Sequence, residues 1–247
     1  MAKHFQCTAC GKCCYGQLPL TWKDAFANVG RFPLCFAWTP VQKGSKDFAL
    51  ASKIGATVTL PNRLEIAILI MPLAYIPSSY PCPALGENNL CKIHDNKPSR
   101  CKAMPFYPYR EEKFQAELLV PKKDWGCDTS SNAPIIFQEG KIMSRKDFDQ
   151  EREELLEQVP LLKRYTEYMQ KYSYSFVGSL RGKIKGSVVT SLSSFLTATK
   201  SPHAKEIAQQ QLPILHEYAA KTAEDIKWSD FHKNYVIWAK EMSYLAR

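Results

Sequence analysis

Four cysteines crowd into CTACGKCC, residues 7–14, and the last two, Cys13 and Cys14, are neighbours. Two residues between cysteines let a tight turn aim both thiolates at one metal centre, and the same spacing serves structural zinc sites and iron–sulfur proteins. Here the spacing runs twice in succession, through Cys7, Cys10 and Cys13. The other cysteines are Cys35 in FPLCFAW, then Cys82, Cys91 and Cys101 in YPCPALGENNLCKIHDNKPSRCKAMPFYP, and Cys127 in DWGCDT.

A C-x2-C-x2-C run closed by a distal cysteine resembles the ligand arrangement of bacterial ferredoxins, where the closing cysteine often precedes proline, as Cys82 precedes Pro83 here. The cysteine that ferredoxins place three residues after the run is missing. Successive side chains on an extended backbone point apart, so Cys13 and Cys14 are expected not to share a single mononuclear metal. A polynuclear cluster or two neighbouring centres would use both. Cys35, between Leu34 and Phe36, reads as a buried apolar cysteine. The remaining eight, Cys7, Cys10, Cys13, Cys14, Cys82, Cys91, Cys101 and Cys127, are the metal-ligand candidates. They suffice for two four-thiolate centres or for one centre with spare thiols. The cofactor expected is an iron–sulfur cluster, 4Fe-4S favoured, or zinc. His94, three residues past Cys91, and His4 are weaker alternatives.

Local signals say how these thiols are carried. Gly86 to Asn89 reads as a turn that folds Cys82 back toward Cys91. Pro98 suits the first position of a short helical turn bearing Cys101, which Pro105 stops. Arg100, Lys92 and Lys102 are close in sequence, and positive charge lowers a thiol's pKa toward the ligating thiolate.

The 247 residues carry a formal charge of +9, with +6 before residue 130 and +3 after it when cysteines are counted neutral. Ligating thiolates would consume much of the first excess, so it is no strong nucleic-acid signal. The one compact basic run, RGKIKG with Arg181, Lys183 and Lys185, reads as a solvated loop. No apolar region precedes the first cysteine as in a secretory leader. The longest apolar run, LEIAILIMPLAYI (64–76), is too short for a membrane span and reads as a buried segment. These features predict a cytoplasmic protein with reduced thiols, in which nine cysteines point to metal or catalysis rather than disulfides.

Composition shifts near residue 130. All nine cysteines and twelve of sixteen prolines lie before it. The fold class expected is α+β: an irregular cysteine-rich metal-binding module at 1–130, then a mainly helical segment at 131–247 packing on it. Within the module, Thr21 caps a helix with Asp24 at capping-box spacing, ended by Gly30, and ATVTL (56–60) reads as a strand. Later, Ser144 caps a helix that carries Phe148, Leu155, Val159 and Leu162 on one face and is divided or kinked at Pro160. Pro213 is expected to interrupt the next helix. The last one, capped at Ser229 or Asp230, presents Phe231, Tyr235, Trp238, Met242 and Leu245 on one buried face. A loop-rich module of this kind buries little apolar surface, so bound metal is expected to supply much of its stability.

The blocks CTACGKCC, LTWKDAF and CPALGENNLCKIHDNKPSRCKAMPF resemble the YkgJ-type cysteine-cluster family, described as zinc- or iron-chelating. The matching positions are Cys7, Cys10, Cys13, Cys14, Cys82, Pro83, Leu85, Cys91, Ile93, Pro98, Cys101, Lys102 and Pro105, with Cys127 as the family's late cysteine. His94 stands where tyrosine is usual and Lys102 where arginine is usual. The resemblance covers roughly residues 5–130. It implies a metal centre with a structural or electron-transfer role. One branch holds flagellin lysine N-methylases, which implies an alternative: an S-adenosylmethionine-dependent enzyme acting on a protein or peptide, with Tyr107, Tyr109, Asp124, Trp125 and Asp128 as groups near the cluster. A metallochaperone or metal sensor is a third class. Neither a glycine-rich dinucleotide loop nor C-x3-C-x2-C is present, since position 17 is Gln17.

Overall fold

The computed structural model describes residues 2–59, 65–122, 124–173, 176, 179–180 and 186–247. The basic run at 181–185 lies outside them, as do Leu60 and Leu64 at the ends of two predicted apolar stretches. The fold is α+β.

The apolar run after residue 64 forms the central strand β5 (Glu65–Ala74) of a five-stranded antiparallel sheet. Strand β3 (Leu34–Gln42) pairs along its whole length, from Leu34 opposite Ala74 to Gln42 opposite Ile66. The other edge of β5 is shared. The two-residue β2 (Leu18–Pro19) lies beside Ala74 and Leu73, and β4 (Ala56–Thr59) beside Ile68 to Glu65. A strand from the late part of the chain, β8 (Val188–Ser191), pairs with Cys35 to Trp38 of β3. Both faces of β5 are covered, which is why its sequence is a near-continuous apolar run rather than an alternation. A second, smaller antiparallel sheet joins β1 (Lys3–His4) to β6 (Ile135–Gln138) and β7 (Lys141–Ile142). The cysteine-rich half is therefore more regular than its prolines and cysteines predict.

Helix α1 (Trp22–Ala27) starts where expected: the Thr21 hydroxyl accepts from the Asp24 amide at 3.2 Å. Asn28 closes it, two residues before Gly30. Helix α2 (Phe48–Ile54) and the four-residue α3 (Ser99–Lys102) complete the first half. Pro160 divides the next pair as predicted, into α4 (Lys146–Glu157) and α5 (Val159–Tyr172), with Gln158 between them; α4 begins two residues beyond Ser144. The short α6 (Leu192–Thr199) follows β8. Pro213 does not interrupt its helix: α7 (Ala204–Thr222) runs through it. Buried Gln211, Ile214 and Leu215 hold both sides of the proline in the core, and this packing outweighs the hydrogen bond that proline cannot make. In α8 (Ser229–Leu245), Tyr235, Trp238 and Met242 are buried, as the periodicity requires.

The main core is continuous across residue 130. Phe36 and Trp38 of β3 meet Tyr165 of α5 and Phe195 of α6, with Phe36 stacked on Phe195 at 4.4 Å. On the far side Tyr75 packs against Phe231, Tyr235 and Trp238 of α8. One polar residue ties the layers: Gln211, fully buried in α7, accepts from the Leu34 amide at 2.9 Å and donates to the carbonyls of Val29 and Phe32. Replacing Gln211 with alanine leaves three buried backbone groups unpaired. The expected loss is about 3 kcal/mol or more in urea-induced unfolding, against under 1 kcal/mol for an exposed glutamine such as Gln210.

Candidate metal centre

Two backbone pairings place the cysteines. Because β2 lies antiparallel to the end of β5, the chain before Leu18 runs beside the chain after Ala74. The Gly16 amide donates to the Tyr80 carbonyl at 3.1 Å, Tyr15 bridges Pro81, and the Cys82 amide donates to the Cys14 carbonyl at 2.7 Å. Cys14 and Cys82 are thereby neighbours, 68 positions apart in the chain. On the other flank, β1 lies on β6, and the pairing extends to a bridge between Gln6 and Asp128 with hydrogen bonds of 2.8 and 3.0 Å. That bridge sets Cys127 beside Cys7. Gly126 backs onto Cys10: a Cβ there would sit 3.4 Å from the Cys10 Cβ, and the Thr8 hydroxyl donates to the Gly126 carbonyl at 2.8 Å.

The first block is a chain of turns. Gly11 has φ +70°, a conformation that favours glycine, and a Cβ there would sit 3.1 Å from the Asn89 Cβ. The Cys14 amide closes on the Gly11 carbonyl at 3.0 Å. The expectation that the adjacent thiols point apart assumed extended backbone; in this turn the two interact, Cys13 being shifted down and Cys14 up. The Gly86–Asn89 turn forms as predicted. Gly86 donates to the Leu90 carbonyl at 2.8 Å, and Leu85 bridges Cys91, so Cys82 and Cys91 come back together. Pro98 opens α3, which presents Cys101.

The nine cysteines are all free thiols. Charge interactions between them sort the eight candidates around the Cys13–Cys14 junction. Cys127 feels Cys10, Cys7 and Cys13, whereas Cys101 feels Cys82, Cys13 and Cys91, and Cys14 feels Cys82 and Cys101. Burial pushes the Cys101 thiol up to about 12, and the neighbouring thiolates add to it; the Arg100 guanidinium opposes without prevailing. Arg100 thus acts in the expected direction on Cys101, but burial outweighs it, and its guanidinium is also engaged with Glu151 and the Phe106 carbonyl. Burial raises Cys82 too, against the pull of the Ala84 amide and of Arg31. Cys13 is lowered to about 6, chiefly by the Cys14 thiol, with Lys97 contributing. Amides of Lys12 and Gly126 lower Cys10. Among the described residues, no three His, Cys, Asp or Glu side chains are drawn together tightly enough to hold an ion as they stand. Soft sulfur donors that raise one another's pKa fit a thiophilic cation, whose charge would favour their thiolate forms. Cys35, wholly buried in β3, is remote from this chemistry and its thiol is pushed up by burial alone. His4 is engaged with the Ala133 carbonyl at 2.7 Å, and His94 is exposed in a 3-10 turn.

Behind α3 lies a buried charged cluster that the sequence did not signal. Arg100 is 3% exposed and Glu151 of α4 is 1% exposed. They stand 3.5 Å apart without a hydrogen bond. Arg100 also donates to the Phe106 carbonyl and lies 4.8 Å from the ring centre of Tyr107. Nothing in local sequence marks this pairing, because its partners are 51 positions apart.

Cysteine-bearing turns hung from one end of an antiparallel sheet define a thiol-based metal-chelating domain. Residues 6–127 match the family model CxxCxxCC, described as a putative zinc- or iron-chelating domain. No curated protein and no solved structure matches the chain.

Burial raises Glu151 from 4.5 to about 7, with Arg100 opposing and Asp24 and Glu154 reinforcing. A raised carboxyl favours the folded state while protonated. Its contribution is full below about 4.5 and is lost as pH rises through about 7. Glu151→Gln should therefore remove a slope: the variant gains up to about 3 kcal/mol on wild type between those pH values in urea unfolding.

Proposed function

We propose that this protein carries iron–sulfur chemistry in two adjoining thiolate sets, with a structural or electron-transfer role. The observation that carries the reading is the double backbone pairing of the first cysteine block. One pairing brings Cys127 to Cys7 and Cys10, and the other brings Cys82, with Cys91 behind it, to Cys14. Cys7, Cys10, Cys13 and Cys127 would form one set, and Cys14, Cys82, Cys91 and Cys101 the other. Adjacent Cys13 and Cys14 would place the sets side by side, an arrangement that suits passage of electrons between clusters. Iron–sulfur centres supply one-electron chemistry; zinc in the same thiolates would be a structural staple. Among the described residues no helix is long and apolar enough to cross a membrane.

The cysteine loops stand outside the main core, which includes Cys35 and touches only Cys82 among the candidate ligands. The expectation that metal supplies much of the module's stability narrows accordingly to the loops. Protein isolated without oxygen should be brown and contain iron and acid-labile sulfide. Cys10→Ser and Cys13→Ser should lose metal while keeping the helical circular dichroism of wild type, and Cys35→Ala should keep full metal content. Colourless protein with stoichiometric zinc would overturn the redox reading.

An open cleft beside Cys82 favours a second reading, an enzyme acting on a protein or peptide. Arg31, Tyr80, Glu217, Tyr218 and Lys221 line it with the Cys82 side chain. Aromatic walls and both signs of charge next to a ligand thiol suit a polar substrate presented to the centre. On this reading, S-adenosylmethionine added to fully loaded protein should produce a saturable heat of binding in titration calorimetry; its absence would remove the methyl-transfer version.

A further inference from the structure

Helix α4 lies outside the family segment, yet it grips the turn that carries Cys101. We propose that Glu154 is a positioning residue for the metal centre: its carboxylate fixes the Cys101 turn against the cysteines of the first block. The inference rests on the reading of the eight cysteines as ligands.

The four-residue α3 has no cap of its own, since Pro98 at its N-cap position offers no side-chain acceptor. Its first residue, Ser99, is held from outside instead. The Ser99 amide donates to the Asp24 carboxylate at 2.8 Å, and the Ser99 hydroxyl donates to Glu154 Oε2 at 2.8 Å. The same Glu154 oxygen accepts from the Thr21 hydroxyl at 3.0 Å. Thr21 is the cap of α1, close behind β2 and hence behind the first cysteine block. A single carboxylate oxygen thus joins the two stretches whose cysteines must meet: Thr21 is seven positions beyond Cys14, and Ser99 is two before Cys101.

Glu154 is 6% exposed, and its other oxygen accepts from Gln150 at 3.3 Å and meets Lys23 at 3.4 Å. Burial alone would raise this carboxyl, but the donors from Ser99, Gln150 and Thr21 hold it below its ordinary value. It is therefore an anion at neutral pH with its acceptor capacity used. Partners that orient first-coordination-sphere ligands commonly alter metal affinity by about 10- to 100-fold.

The experiment loads wild type, Glu154→Ala, Glu154→Gln, Ser99→Ala and the exposed same-helix control Glu153→Ala anaerobically with iron and sulfide. It then follows the visible spectrum and the rate of iron release to a chromophoric chelator, with circular dichroism to check folding. Glu154→Ala and Ser99→Ala should each release iron about tenfold faster or more and shift the cluster spectrum, and their combination should be no worse than either alone. Glu154→Gln, whose amide oxygen still accepts both hydroxyls, should restore the wild-type spectrum and most of the retention. Glu153→Ala should match wild type. Should Glu154→Ala fail to fold, Ser99→Ala, which removes only a hydroxyl, decides. Release and spectrum unchanged in folded Glu154→Ala or in Ser99→Ala, or Glu154→Gln as impaired as alanine, would overturn the positioning role while leaving the metal reading intact. Failure of wild type itself to take up iron would sink both.

Discussion

Backbone pairing on both sides of one eight-residue cysteine block is the constraint from which the rest follows. Residues 3–6 belong to the small sheet through β6 and Asp128, and residues 14–19 belong to the large sheet through β5 and its continuation to Cys82. The block between is strung across the gap. On each flank the amide and carbonyl groups pair with a distant stretch that ends in a cysteine. Thiols separated by more than a hundred positions therefore meet without any cysteine having to seek another.

Thiols gathered in this way disfavour one another's thiolate forms, and a bound cation would offset that repulsion. Burial and mutual repulsion raise Cys82, Cys101 and Cys127, and the Cys13 thiol chiefly raises Cys14. Cys10 and Cys13 move the other way, through donated hydrogen bonds. On the proposed ligand set, Cys10 and Cys13 would be ready thiolates, and the raised thiols would release protons on binding metal.

The division of labour between core and loops also explains why α4 matters to a domain that ends before it. The loops lack a core of their own, so their orientation is borrowed from buried polar contacts to neighbouring helices. Thr21, Asp24 and Ser99 supply donors and acceptors from the family segment, and Glu151 and Glu154 supply carboxylates from beyond it. Such contacts are directional where apolar packing is not, and position depends on direction.

Where physics is local, the sequence sufficed. The Thr21 cap, the division at Pro160, the Gly86–Asn89 turn, the apolar stripe of the last helix and the buried character of Cys35 each follow from residues within a turn or two of one another. The cysteine spacing likewise announced a chelating domain. The five-stranded sheet, the uninterrupted helix through Pro213, the contact between the Cys13 and Cys14 thiols and the grip of Glu154 on Ser99 belong to the tertiary structure. Each depends on what distant chain lies alongside, and the packing or hydrogen bonding gained there overrides the local preference. Composition and spacing determine which atoms can bind metal; only the pairing of remote strands decides which of those atoms become neighbours.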